Sequence, residues 1–475
     1  MVLNEVYYFF ERRATEKDDY TMEGRIRMIQ DLTLGDSQKV LFRYTIPMFI
    51  SVAFQQIYNI ADSMIAGKFA GEDALAAVGA SYPITMIFMA VAVGCNVGCS
   101  VVISQLFGAK EYRKLKTAIS TTFITTLVLS IVLTIIGLFT TPAMMRMIQT
   151  PDNIFVDGAL YLKIYIAGFV FLFLYNVTTG MFNSLGDSKT PLYFLIGSSV
   201  GNIVLDLLFV AVFHWGVAGV AWATFIAQGA ACILALLAFR QRLTEIETQE
   251  KAEMFSWSVL QKIAIIAIPS VLQQSFVSIG NIFIQSIVNS YGSDVIAGYS
   301  AAIKLNTFII TSFATFGNGV SGFVAQNLGA GKPERIRSGY KAGVKMALII
   351  AIPFFLVYFC FGQTVMLLFM EDTGSMAMEV GITFLKIVSP FYFIISIKLV
   401  ADGALRGATA MKSFMISTFT DLILRVMLAY ILSDLLASST GIWLSWPVGW
   451  SVATVLSVAF IHRVIKQNLG KNKAE

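Results

Sequence analysis

Two acidic residues, Asp62 and Asp206, stand in long apolar stretches of this chain. Tyr58 precedes Asp62 by four residues, and Asn202 precedes Asp206 by four. In a helix, this spacing puts each partner on the same face as its acid, one turn away. Hard oxygen ligands suit a small cation, and two close carboxylates also favour holding a proton between them. The residue types and their spacing therefore predict a binding site for H⁺ or Na⁺.

The composition indicates what surrounds these acids. The chain has 475 residues, of which 56% are hydrophobic and only 13% charged, and its mean hydropathy is +0.73. Soluble proteins carry roughly 25% charged residues, which cover their apolar cores. Because this chain cannot supply such a surface, we expect an integral membrane protein whose main partner is the lipid bilayer. An ionisable side chain at bilayer depth is costly and therefore indicates function.

The same composition argues against several classes of protein. The formal net charge is +5, and no basic cluster is interleaved with aromatic residues, so nucleic-acid binding is not expected. The four cysteines lie in apolar stretches without a CxxC pair, which argues against disulfides and zinc. Neither His214 nor His462 has a catalytic or metal-ligand pattern around it. An intramembrane enzyme is therefore a remote alternative, and no cofactor is expected beyond the coupling ion.

Twelve apolar stretches are long enough to cross a bilayer, for which a helix needs about 20 residues. They run over residues 44–67, 77–105, 117–141, 159–182, 191–213, 217–239, 263–290, 296–328, 342–369, 379–402, 413–433 and 442–462. The pattern predicts an all-α membrane protein. We expect residues 1–43 to form an N-terminal cytoplasmic segment without a signal peptide. Residues 1–36 of this segment are expected to be a frayed extension or a short amphipathic segment with no assigned function.

The charges of the loops predict the orientation in the membrane. Basic residues follow the even-numbered spans, for example Lys110 and Lys114 after the second span and Arg335 and Arg337 after the eighth. The opposite loops carry acids such as Asp434. Basic loops stay on the cytoplasmic side. We therefore predict a multi-pass plasma-membrane protein with both termini in the cytoplasm.

The chain contains an internal repeat with an offset of 221 residues. The segment GEDALA at 71–76 matches GSDVIA at 292–297, and QLFGA at 105–109 matches QNLGA at 326–330. The match of residues 162–164 to 385–387 is two residues out of step. Six spans in each half return the chain to the same side, so the repeats run parallel around a central cavity. We expect lobes at 44–239 and 263–465, a linker at 240–262 that is helical from residue 241 to residue 251, and a cytoplasmic tail at 466–475.

This arrangement predicts that the polar residues of the N-lobe meet at one depth. Asp62 lies about 8 Å and Asp206 about 12 Å below the outer ends of their spans, and Thr224 lies about 10 Å into the sixth span. Two carboxylates, an amide, a phenol and a hydroxyl would then converge. The alternative is that these side chains only make hydrogen bonds within the helix packing, which for Tyr58 and Thr224 alone is the simpler interpretation.

The C-terminal half has no equivalent pattern. Its seventh span carries no charge, and Phe283 stands at the position of Asp62 in the repeat. Asp421 and Arg425 lie four residues apart, which predicts an ion pair within one helix. Lys398 and Asp402 predict a second pair at the same spacing.

The sequence resembles the multidrug and toxic-compound extrusion (MATE) transporters, and most closely their DinF-like prokaryotic branch. The resemblance covers residues 31–465 and is carried by QQIYNIAD (55–62), GEDALAAVG (71–79), SLGDSKTP (184–191) and the segment 202–206. It implies twelve helices in two lobes and export of lipophilic, often cationic compounds in exchange for Na⁺ or H⁺. It also implies a cation site formed by Tyr58, Asp62, Asn202, Asp206 and Thr224, with Tyr161 added by spacing alone. Members of the NorM-like branch use C-lobe acids, whereas the seventh span here has none.

We therefore expect a secondary antiporter that exports small lipophilic or cationic molecules by alternating access and functions as a monomer. Cation uptake at Asp62 and Asp206 would neutralise the acids, lower the cost of enclosing them and let the lobes rock. Na⁺ or H⁺ could serve as the coupling ion. A lipid-linked oligosaccharide flippase of the same superfamily is the alternative function.

Overall fold

The computed structural model describes residues 30–246, 248, 251–370 and 374–471, and the regular elements in these ranges are all helical. The helices are α1 (Ser37–Ile65), α2 (Glu72–Gly108), α3 (Tyr112–Met147), α4 (Asp152–Ala167), α5 (Phe169–Ser184), α6 (Lys189–Asp206), α7 (Gly216–Thr244), α8 (Trp257–Asn289), α9 (Ser293–Gly329), α10 (Pro333–Cys360), α11 (Gly362–Met366), α12 (Met376–Val388), α13 (Tyr392–Gly407), α14 (Met411–Leu435) and α15 (Thr440–Lys471).

Twelve membrane spans emerge from these helices, as the sequence predicts. Eleven stretches within the described ranges are long and apolar enough to cross a bilayer by themselves, and the pair α4 and α5, bent by 47°, supplies the twelfth. The helices α12 and α13 form one span, joined by the short turn Ser389–Phe391. Most helices extend past the predicted spans, because polar turns continue the helix beyond the apolar stretch.

The internal repeat is visible in matched helix geometry. Both α2 and α9 contain 37 residues, and each follows a glycine with almost the same backbone angles. Gly71 has φ +96° and ψ 170°, and Gly292 has φ +93° and ψ 173°. Only glycine adopts this region of φ and ψ without strain. The two lobes therefore form as six-helix repeats in the same order, and the predicted fold class is confirmed.

Apolar packing joins the lobes at one end of the molecule. The largest core contains residues of both lobes near the predicted cytoplasmic face, for example Ile103 and Phe182 with Val324 and Leu405. Toward the predicted outer face, each lobe has a core of its own. One contains Tyr161, Val210 and Ala221 of the N-lobe, and the other contains C-lobe residues such as Phe384, Trp443 and Trp450.

Glycines bring the two lobes into backbone contact at this shared end. A Cβ built on Gly108 of α2 would lie 2.0 Å from the carbonyl oxygen of Gln326, and one built on Gly329 of α9 would lie 2.0 Å from that of Gln105. The side chain of Gln105 donates to the carbonyl of Gly407 (3.3 Å), and that of Gln326 donates to the carbonyl of Ser184 (2.8 Å). We call these contacts the interlobe seal. Its two halves are related by the repeat.

A short N-terminal segment, residues 31–35, completes the seal. The backbone N–H of Leu32 donates to Gln326 Oε1 (3.0 Å), and Lys332 Nζ donates to the carbonyl of Thr33 (3.0 Å). Arg335 donates to the carbonyls of Leu32, Leu34 and Gly35. The prediction of a frayed extension through residue 36 is therefore wrong for residues 31–36, because C-lobe side chains satisfy its backbone. Residues 1–29 of that extension lie outside the described ranges.

The linker between the lobes is also corrected. We predicted helix from residue 241 to residue 251, but α7 ends at Thr244 and residues 251–256 are not helical. The backbone carbonyl of Glu253 accepts a hydrogen bond from the hydroxyl of Ser120 (3.2 Å), and its N–H donates to the hydroxyl of Thr117 (3.1 Å). The N–H of Ser256 donates to the hydroxyl of Thr121 (3.0 Å). Hydroxyls of α3 thus hold the linker in a non-helical path across the N-lobe.

Candidate cation site

The acids predicted from the sequence lie on α1 and α6, which pack against each other in the N-lobe. The hydroxyl of Tyr58 on α1 donates a hydrogen bond to Oδ1 of Asn202 on α6. These two residues each lie one turn from their acid, so this bond sets the rotation of the two helices about their axes. It turns Asp62 and Asp206 toward each other.

The carboxyl groups of Asp62 and Asp206 are close enough to interact electrostatically. Asp206 is fully buried, Asn202 is 2% exposed and Asp62 is partly buried. Two carboxylates this close repel each other unless a proton or a cation lies between them. The structure therefore brings together two groups that favour a shared positive charge.

Several polar atoms of this cluster have no hydrogen-bond partner among the described residues. They are Oδ1 of Asp62, both carboxylate oxygens of Asp206 and Nδ2 of Asn202. Buried polar atoms are nearly always paired, and a buried group without a partner costs free energy. Most of the unpaired atoms are carboxylate oxygens, so the cluster is suited to a ligand that brings a proton or a positive charge.

Thr224 and Tyr161 complete the predicted set. Thr224 of α7 lies near the Tyr58 hydroxyl, and Tyr161 of α4 interacts electrostatically with both acids. Tyr161 is 9% exposed and stacks on Tyr165 with the ring centres 6.3 Å apart. The structure thus places all six predicted residues in one cluster, while their roles in binding a cation stay predictions.

Two π-helical segments border the cluster, and sequence patterns did not reveal them. One, Ala66–Ala70, follows the end of α1, and the other, Leu207–Val212, begins directly after Asp206. The two segments contact each other. Wider turns of this kind are frequent at functional sites, and they break the regular hydrogen-bond ladder of the helix. They mark this region independently of the acids.

The C-lobe holds a buried charge cluster of a different kind. Lys398 Nζ lies 2.9 Å from Asp402 Oδ2 and 3.8 Å from Asp421 Oδ2. Ser457 donates to the other oxygen of Asp402 (2.6 Å). The predicted pair of Lys398 with Asp402 is therefore confirmed.

The predicted ion pair of Asp421 with Arg425 is wrong. The guanidinium of Arg425 lies over the ring of Trp446 on α15, 4.4 Å from its centre, and Asp421 turns toward Lys398 of α13. A planar guanidinium binds an aromatic face well when it is shielded from water. Packing between helices thus outweighs the spacing within one helix.

The two clusters differ in how their charges are balanced. In the C-lobe, Asp402 and Asp421 share the ammonium group of Lys398. In the N-lobe, neither Asp62 nor Asp206 forms an ion pair with a basic residue of the described ranges. Within the same ranges, no three His, Cys, Asp or Glu side chains form a metal-binding group. The N-lobe cluster therefore has the uncompensated negative charge that would attract a cation.

The fold and this cluster define a membrane transporter built from two six-helix lobes. The family model named MatE matches residues 47–208 and 269–431, once in each repeat. The chain therefore belongs to the MatE family, whose members are transporters and not enzymes. This confirms the family, the non-enzymatic class and the multi-pass membrane character expected from the sequence.

Similar proteins extend the comparison. The chain is 29% identical over 387 residues to "Probable multidrug resistance protein YpnP" of Bacillus subtilis, which covers 81% of this chain and 86% of that protein. It is also 27% identical over 436 residues to "Probable multidrug resistance protein YoeA" of the same organism. This match covers 89% of this chain and 93% of that protein. A solved structure described as the outward-facing conformation of a multidrug resistance MATE family transporter of the MOP superfamily has a TM-score of 0.86 at 23% identity. That match covers 96% of this chain and 100% of the solved chain, and it shows the shared fold.

Proposed function

We propose that the protein is a secondary antiporter that exports lipophilic or cationic small molecules in exchange for H⁺ or Na⁺. The observation that carries the proposal is the pair of neighbouring carboxyl groups, Asp62 and Asp206. Oδ1 of Asp62 and both carboxylate oxygens of Asp206 have no hydrogen-bond partner in the described part of the chain. The coupling ion would bind between them. The names of the Bacillus subtilis relatives support drugs as the exported class.

The ion would act by changing the cost of closing the N-lobe around its acids. Two ionised carboxylates are expensive to enclose, whereas a carboxylate pair that holds a proton or Na⁺ carries less net charge. Binding therefore favours a conformation in which the cluster is occluded. The membrane potential favours cation entry by about 2.3 kcal/mol per elementary charge per 100 mV. Export can use this energy when ion and drug bind exclusively of each other.

The contacts between the lobes support one step of this cycle. The interlobe seal and the shared core lie at the predicted cytoplasmic end, and the separate cores lie toward the predicted outer end. In this conformation, the ion would arrive from outside. Breaking the seal would open the predicted central cavity to the cytoplasm, where the drug would enter as the ion leaves.

Transport by proteoliposomes tests the proposal. The purified chain is reconstituted, a fluorescent lipophilic cation is the substrate, and a proton gradient and a sodium gradient are imposed separately. We expect one or both gradients to drive dye transport. We also expect Asp206→Asn and Asp62→Asn to abolish driven transport while the amount of reconstituted protein is unchanged.

The matched control is Asp157→Asn, which neutralises an exposed acid of α4 in the same lobe. This variant should transport like the wild type. Gradient-driven transport that survives in both Asn variants would refute the cation site. A flippase would be favoured instead if neither gradient drives dye transport and the same vesicles translocate a lipid-linked oligosaccharide.

A further inference from the structure

A groove with a volume of 630 Å³ opens between α10 and α15 at the predicted cytoplasmic end of the C-lobe, far from the acids of the N-lobe. Its rim is basic. Arg337, Lys341 and Lys345 follow one face of α10 at intervals of four residues, and Lys466 faces them from α15. All four side chains are exposed, and none forms an ion pair within the described ranges. The lining identified there contains no carboxylate.

The floor of the groove is apolar and runs along the membrane-spanning part of α10. Leu348, Ile349 and Ile352 continue the line of the lysines, and Ile352 is 48% exposed. From Arg337 to Ile352 the helix rises about 22 Å. Half of a bilayer's hydrocarbon core is about 15 Å thick. The groove is therefore long enough to connect the polar interface with the interior of one leaflet.

In the N-lobe, the linker between the lobes lies against the helix that the repeat makes equivalent to α10. The offset of 221 residues that relates α3 to α10 puts Ser120 and Ile124 at the positions of Lys341 and Lys345. In the N-lobe, the linker lies on this face, since Ser120 bonds to Glu253. The linker thus covers this face of α3 in the N-lobe, whereas the equivalent face of α10 in the C-lobe is open and carries Lys341 and Lys345.

We propose that this groove is a binding site for an anionic phospholipid. The phosphate would lie among Lys341, Lys345 and Lys466, and an acyl chain would lie along Leu348 and Ile352. Basic pockets between membrane helices on the cytoplasmic side suit anionic headgroups, and each lysine near the surface adds to the affinity. The unpaired positive rim and the apolar floor match the two parts of such a lipid, while a soluble anion would use only the rim.

Native mass spectrometry of the purified full-length chain tests the site. The protein in detergent is mixed with equal amounts of phosphatidylglycerol and phosphatidylcholine, and the bound lipids are counted. We expect the wild type to retain phosphatidylglycerol preferentially. In Lys341→Gln/Lys345→Gln this preference should fall by about 30-fold, which corresponds to about 2 kcal/mol for two lysines.

The matched control is Lys114→Gln/Lys116→Gln, which removes two lysines from the corresponding end of α3, and it should retain the wild-type preference. Leu348→Trp keeps the basic rim and fills the floor, so it should also lower phosphatidylglycerol retention. Melting temperatures in detergent identify any variant that does not fold. Equal retention by the wild type and Lys341→Gln/Lys345→Gln would overturn the proposal. Displacement of the lipid by inorganic phosphate, together with normal retention in Leu348→Trp, would assign the rim to a free anion and also overturn it.

Discussion

Two glycines, Gly108 and Gly329, make the interlobe seal sensitive to a single methyl group. An added Cβ at either position would lie 2.0 Å from a backbone carbonyl oxygen of the other lobe. Ordinary contact begins at about 3.4 Å. In Gly108→Ala, α2 and α9 must therefore move apart by about 1.4 Å (3.4 − 2.0) at the crossing. Because the obstructing atoms belong to the backbone, no change of rotamer can relieve the clash.

The expected energy follows from the size of this displacement. Overpacking of a tight contact typically costs about 1–3 kcal/mol. The cost falls only on the conformation in which the seal is closed, since the two backbones separate when the lobes open. The ratio of open to closed molecules should therefore rise by about 5- to 150-fold. Gly329→Ala should have a similar effect, because the repeat makes the two contacts equivalent.

Distance measurements between the lobes test this expectation. Spin labels on Lys114→Cys and Lys412→Cys, two exposed sites at the predicted cytoplasmic end of different lobes, report their separation after the four native cysteines are replaced. Double electron–electron resonance should show a longer distance gaining population in Gly108→Ala. The wild type should keep the shorter distance.

Gly79→Ala is the control on the same helix, because a Cβ at Gly79 has no neighbour within 4 Å. It should give the wild-type distance distribution. If Gly108→Ala and Gly79→Ala give the same distribution as the wild type, the seal does not hold the lobes together and the reasoning fails.

Two further predictions concern the stability of the C-lobe and of the seal. Lys398→Met leaves two buried carboxylates without their shared cation and should destabilise the protein by about 3–5 kcal/mol, measured by unfolding in detergent. Lys412→Met, at an exposed position, should change the free energy of unfolding little. An equally small effect of Lys398→Met would show that the buried charges do not stabilise the C-lobe. Arg335→Lys loses the planar donor fork that holds residues 31–35, so the amide of Leu32 should exchange its hydrogen about tenfold faster or more. An unchanged exchange rate at Leu32 would show that Arg335 does not hold the segment.

The proposed mechanism requires a connection between the N-lobe acids and the interlobe seal. Asp62 and Asp206 belong to one lobe, so ion binding there cannot move the other lobe by direct contact. In this proposal, α1 and α2 would transmit the effect of ion binding, because α1 carries Asp62 and, like α2, contacts α9 of the other lobe. A variant such as Gly108→Ala should therefore alter transport without altering the acids themselves.

Local features of the sequence were sufficient for much of this description. Hydropathy predicts twelve spans because a bilayer requires about 20 apolar residues in a row. The matched segments around Gly71 and Gly292 predict the repeat, and the four-residue spacing of Tyr58 from Asp62 predicts a shared helical face. These properties depend on neighbours along the chain, so they can be read without knowing which helices touch.

Contacts between helices were decided only by the tertiary structure. Asp421 and Arg425 have the spacing of an ion pair within one helix. The guanidinium of Arg425 instead packs on the ring of Trp446 from another helix, and the carboxylate of Asp421 lies near Lys398 of a third. The hydrogen bond between Tyr58 and Asn202 likewise joins residues 144 positions apart. Such contacts depend on the rotation and crossing of packed helices. A one-dimensional pattern records which residues share a face, but it does not record which other helix that face meets.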